Sequence, residues 1–177
     1  MTQGQTSLTQ NVTLLAGGAH VIGTHFIGTT PVLVLADGRL LMGAGDEART
    51  LTPHGDAPIL VSCAYGTGLV TGGEDGKIMA LAPDGSLSEI ADNKGRWVDA
   101  LAAGPAQSLA WSCGKTVYSQ DGKGQRRTFD APSSVRGLAF LPKGYRLAFA
   151  HYNGASLWFP NSEAKPDPLE WKGSHLD

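Results

Sequence analysis

Leu69-Val70-Thr71-Gly72-Gly73-Glu74-Asp75-Gly76-Lys77-Ile78-Met79-Ala80 sets an Asp-Gly pair between two apolar runs. Asp and Gly accept the backbone torsions of a tight turn, so the stretch reads as a β-hairpin. The frame returns in Ala36-Asp37-Gly38-Arg39-Leu40-Leu41-Met42, in Ser112-Cys113-Gly114-Lys115-Thr116-Val117-Tyr118 and in Tyr152-Asn153-Gly154-Ala155-Ser156-Leu157-Trp158. The glycines stand at 38, 76, 114 and 154, at intervals of 38, 38 and 40. A constant interval near forty residues marks a repeat array. Cys113-Gly114 is the weakest copy.

Each hairpin has an apolar run before it (Val32 to Leu35, Leu69 to Val70, Leu109 to Trp111, Leu147 to Phe149) and one after it (Leu40 to Met42, Ile78 to Leu81, Thr116 to Tyr118, Ser156 to Phe159). Further upstream lies another strand-like run: Val21 to Ile27, Ile59 to Tyr65, Val98 to Ala102 and Val135 to Leu141. Downstream comes a more polar one: Arg49 to Leu51, Leu87 to Ile90, Arg126 to Phe129 and Leu169 to Trp171. Four strands in about forty residues is the size of a propeller blade. Small residues such as Ala100, Ala102, Gly137 and Ala139 suit inner strands crowded round a channel. Charge collects on the outer strands, as a solvent-facing edge requires. No helix is needed. The expected fold is therefore all-β: a β-propeller of four-stranded antiparallel blades, four of them. They cover residues 19–53, 54–95, 96–133 and 134–173, with a lone outer strand at 12–15.

On these residues the chain resembles the WD40 repeat family. Val135-Arg136-Gly137-Leu138-Ala139-Phe140-Leu141-Pro142-Lys143-Gly144 is similar to the family's inner strand and Pro-x-Gly turn. The stretch Leu69 to Ile78 looks like its next strand and Asp-Gly turn, and His54 stands where the family often has Gly-His. The resemblance runs from about Ala19 to Trp171. The Trp-Asp pair is missing: Gly43, Leu81, Ser119 and Phe159 occupy its place, so the family's His-Ser-Asp-Trp network is expected to be incomplete in every unit. The resemblance also implies that a lone first strand completes the last blade. Here a fourth outer strand is already present, so four blades are expected to be part of a seven-bladed ring, continued beyond Asp177. The alternatives are a natural four-bladed ring and a half-propeller that assembles with itself.

Composition removes several function classes. Hydrophobic residues are 41% and charged residues 17%, which permits a packed core. Lys and Arg are scattered singly and the net charge is −2, so no basic stripe for nucleic acid exists. No apolar run is long enough to span a membrane, and Met1 to Asn11 lacks the regions of a secretion signal. Cys63 and Cys113 cannot build a disulfide framework or a four-ligand zinc site, and two thiols fit a reducing cytoplasm.

No catalytic constellation, metal site or cofactor motif is read. The histidines His20, His25, His54, His151 and His175 lack metal-ligand spacings, and no Gly-x-Ser-x-Gly elbow or phosphate loop occurs. A propeller enzyme is the competing class, a metal-dependent hydrolase or lactonase working in the central channel, with His20 and His54 as the first ligands to consider. The leading expectation, implied by the resemblance, is a cytoplasmic scaffold whose partners are other proteins. Arg96, Trp97, Arg136 and Tyr152, at inner-strand entrances and a hairpin tip, are the candidate contact residues, because buried Arg and aromatic side chains dominate interfaces. Trp97 has a competing role as a core residue between blades. Outer-strand Arg126 and Arg127 are expected to be solvated.

Overall fold

Each repeat folds into one antiparallel sheet whose strands neighbour one another in chain order. The computed structural model describes residues 12, 15–152 and 154–170. Blade 1 holds β1 (Val21–Ile27), β2 (Thr30–Leu35), β3 (Leu40–Met42) and β4 (Arg49–Leu51). Blade 2 holds β5 (Ile59–Tyr65), β6 (Gly68–Gly73), β7 (Lys77–Leu81) and β8 (Leu87–Asp92). Blade 3 holds β9 (Ala100–Ala103), β10 (Leu109–Cys113), β11 (Thr116–Gln120) and β12 (Arg126–Asp130). Blade 4 holds β13 (Val135–Phe140), β14 (Leu147–His151), β15 (Gly154–Trp158) and β16 (Asp167–Glu170). Among the described residues there is no α-helix, only short 3-10 turns at Gly45–Glu47 and Pro105–Gln107. The strand expected at 12–15 falls largely outside the described residues, as do Asn153 and Trp171.

The hairpins are of two kinds, which the repeat alone does not show. In blades 1 and 2 three residues turn the chain, and Gly38 (φ +89°) and Gly76 (φ +80°) take the left-handed position that closes such a loop. In blades 3 and 4 the turn is two residues, since Cys113 pairs with Thr116 and His151 with Gly154. Strand β9 starts at Ala100 and not at the expected Val98. The Val98 N–H donates across to Gly73 O of blade 2, so this residue belongs to the seam between blades.

The core lies in the seams. Ile27, Val32, Val34, Leu40 and Met42 of blade 1 meet Ile59, Leu69 and Leu81 of blade 2. Val70, Ile78 and Ala91 meet Leu109, Trp111 and Cys113 of blade 3, with Val98 between them. Ala110 and Val117 meet Leu147, Phe149 and Trp158 of blade 4. Sheets stacked face to face bury both faces of a middle blade. Accordingly β6 is buried from Leu69 to Gly73 and β10 along its whole length, whereas β14 alternates buried and half-buried. Gly72 is what allows one close approach: a Cβ there would lie 2.5 Å from Val98 Cγ1.

Candidate partner-binding face

Linkers entering the inner strands share one face of the arc with the hairpin tips, and polar contacts join them. Arg96 caps the blade 3 hairpin. Its guanidinium donates to Cys113 O at 2.6 Å, to Thr116 Oγ1 at 3.1 Å and to the Tyr118 hydroxyl at 3.1 Å. Asp99 Oδ2 accepts the Gly114 N–H at 2.6 Å, and Gly114 O accepts the Val135 N–H at 2.9 Å. The tip of blade 3 is thus held by the entrances of blades 3 and 4 together.

Of the sequence candidates, Arg96 is spent on this internal clasp. Trp97, next to it, is 56% exposed while Val98 is fully buried. Val98 is seated in the seam while Trp97 lies outward, and the competing role of Trp97 as a core residue does not fit that exposure. Arg136 faces solvent and reaches Asp99 Oδ1 at only 3.9 Å. Tyr152 is 54% exposed, with its N–H donated to Ser133 Oγ at 2.9 Å. Arg126 is exposed, but its guanidinium also lies 5.6 Å over the Trp111 ring and donates to Ile90 O, strapping blade 3 to blade 2. Arg127 is exposed.

The four inner strands line a cavity of about 520 Å³. Its polar groups are Thr24, His25, Ser62, Asp99 and Arg136. His25 Nε2 and Ser62 Oγ lie 2.9 Å apart, and burial holds the His25 pKa below the usual histidine value. Neither His20 nor His54 is among the lining residues, which corrects the pair considered for a channel metal. His54 is buried beneath the blade 2 hairpin, where its Nδ1 lies 2.9 Å from Asp75 Oδ1 and its Nε2 2.9 Å from Thr71 Oγ1, whose hydroxyl donates to Met79 O. Burial lowers the His54 pKa more than Asp75 raises it. Three members of the His-Ser-Asp-Trp type of network therefore meet in blade 2, with threonine in the place of the serine and Leu81 where the tryptophan would stand. Its threonine is 1% exposed, so this is a brace for the turn and not a nucleophile with its base.

Among the described residues no three His, Cys, Asp or Glu side chains converge as metal ligands. Burial pushes the Cys63 and Cys113 thiols up to about 11, so both stay protonated and unreactive at neutral pH. No helix among the described residues is long and apolar enough to cross a membrane.

No protein-family profile matches the sequence, and no curated protein matches it either. Solved structures do: 413 chains are similar. One belongs to the crystal structure of the mitotic checkpoint complex, with 20% identity and a TM-score of 0.69, covering 88% of this chain. The chain spans about half of that one, 52% of its length. The fold is a β-propeller of four-stranded antiparallel blades. Propeller blades explain why the face residues come from the ends of different repeats: each blade presents its inner-strand entrance and its hairpin tip on the same side of the ring. Ser62 escaped the sequence reading, because its only signal is a place on an inner strand.

Proposed function

We propose that the chain is a non-catalytic protein-interaction scaffold of the WD40 repeat type, working in the cytoplasm. Its partner is a protein that docks on the face of inner-strand entrances and hairpin tips. The observation that carries this reading is the outward Trp97, 56% exposed and next to the Arg96 clasp. A large aromatic costs little torsional entropy to bury in an interface. Arg136 and Tyr152 add a cation and a second aromatic on the same face, and Arg96 keeps that face in shape.

The test is quantitative capture from lysate of the organism that makes the protein. Wild type, a Trp97→Ser/Arg136→Ala/Tyr152→Ala variant and an Arg127→Ala control serve as baits, each first checked for wild-type thermal unfolding. Proteins enriched by wild type and control are expected to be lost from the triple variant. Equal capture by all three baits refutes the choice of face.

A further inference from the structure

We infer that the two end blades dock on each other between two copies of this chain, closing a ring of two copies, head to tail. The argument starts from register. Within blades 1 to 3 the side chains that meet the following blade occupy equivalent strand positions: Val32 and Leu40, then Val70 and Ile78, then Ala110 and Val117. In blade 4 those positions are Ala148 and Ala155, with Ala150 and Leu157 completing the same face. All four are half-buried, and among the described residues no seam cluster forms on them. Instead they border an apolar hollow of about 280 Å³, to which Ala148, Ala150 and Ala155 contribute.

At the other end, the positions that meet the preceding blade are Leu109, Trp111 and Tyr118 in blade 3, and Leu147, Phe149 and Ser156 in blade 4. In blade 1 the equivalents are Pro31, Leu33 and Leu41, all half-buried, with Phe26 beside Pro31 and 71% exposed. Size complementarity points the same way. At the seam between blades 3 and 4, small residues (Ala110, Ser112, Ser119) face large ones (Leu147, Phe149, Trp158). Blade 4 offers alanines and a hollow, and blade 1 offers leucines and a phenylalanine. Every copy therefore carries both halves of one more seam of the type it has already formed three times.

A contact between unlike faces closes into a ring or runs on as a filament. The four inner strands line one cavity, so the arc curves about an axis, and a second arc that filled the remaining sector would meet both ends. Two copies of this chain then give eight blades.

The experiment measures the mass of the full chain by light scattering after gel filtration, at tens of micromolar. Wild type is expected at twice the 18.5 kDa of one chain. Leu33→Glu charges the blade 1 face and Ala150→Glu the blade 4 face, and each breaks both seams, so each variant alone is expected as a monomer. Mixed, they still share one seam with both faces intact, and the dimer mass returns. Far-UV circular dichroism establishes that each variant is folded, and Leu33→Gln and Ala150→Gln replace any that is not. A monomeric wild type overturns the inference, as does a ladder of larger species. A dimer broken by Ala150→Glu but not by Leu33→Glu is blade 4 on blade 4, and overturns it too. Folded variants that stay dimeric alone, or that do not recombine when mixed, do the same.

Discussion

Replacing Trp111 should cost the fold far more than replacing Trp97, although both lie in blade 3 or at its entrance. The Trp111 ring is fully buried in the seam with blade 2. It stacks on Tyr118 with centroids 5.3 Å apart and planes 6° from parallel. Arg126 lies over it at 5.6 Å, and Nε1–H donates to Asn93 Oδ1 at 3.1 Å. Truncating a buried Trp to Ala costs about 3–5 kcal/mol, and an orphaned amide oxygen adds about 1–3 kcal/mol. Against a total stability of about 5–15 kcal/mol, Trp111→Ala leaves little margin. Trp111→Phe keeps a stacking ring but loses the hydrogen bond and part of the volume, for about 2–4 kcal/mol. Trp97→Ala should stay within about 0.5 kcal/mol, as exposed substitutions do. Urea unfolding followed by far-UV circular dichroism, at one fixed protein concentration, gives the order. A Trp97→Ala cost equal to that of Trp111→Phe would mean that Trp97 packs in the fold. A Trp111→Ala cost below about 1 kcal/mol would refute the seam as the site of the core.

Two further outcomes follow from the same seams and from the buried imidazoles. Gly72→Ala should destabilise by about 1–3 kcal/mol through overpacking, because its Cβ would sit 2.5 Å from Val98 Cγ1 and 3.0 Å from Val61 Cγ2; a gain in urea midpoint would contradict the close approach. Burial lowers the pKa of both His54 and His25 in the folded chain, so the unfolded chain binds protons more readily. Their contribution is complete above the unfolded value of about 6.5 and is lost as the pH falls through it towards the folded values. The lowered carboxylates of Asp37, Asp84 and Asp92 act only at more acid pH, near and below their unfolded range. Thermal midpoints should therefore fall between pH 7.5 and 5.5, and His54→Gln should flatten that slope; an unchanged slope would place the titration elsewhere.

Strand identity was legible because it rests on local chemistry. Apolar runs broken by Asp-Gly and lone Gly mark Val21–Ile27, Leu40–Met42, Arg49–Leu51 and Ile59–Tyr65 to the residue. Hairpin length was not, since Asp37-Gly38 and Cys113-Gly114 both supply a left-handed glycine but close loops of different size. The candidate face was legible in part. Arg96, Trp97, Arg136 and Tyr152 stand at strand entrances and tips, and their position along the repeat is enough to say so. What each side chain does there depends on neighbours from other repeats: Arg96 is consumed by Cys113, Thr116 and Tyr118, and Arg126 by Trp111 and Ile90.

By itself, then, the sequence determined the repeat, the all-β class and the order of strands within each blade, because these follow from turn torsions and from the apolar pattern inside some forty residues. Only the tertiary structure decided which faces are filled. A period of two assigns a side chain to one side of its sheet and says nothing of what stands opposite. The seams of blades 2 and 3 are closed on both sides, while Leu33 at one end and Ala150 at the other remain half-buried, because burial is a property of two sheets brought together and not of either strand.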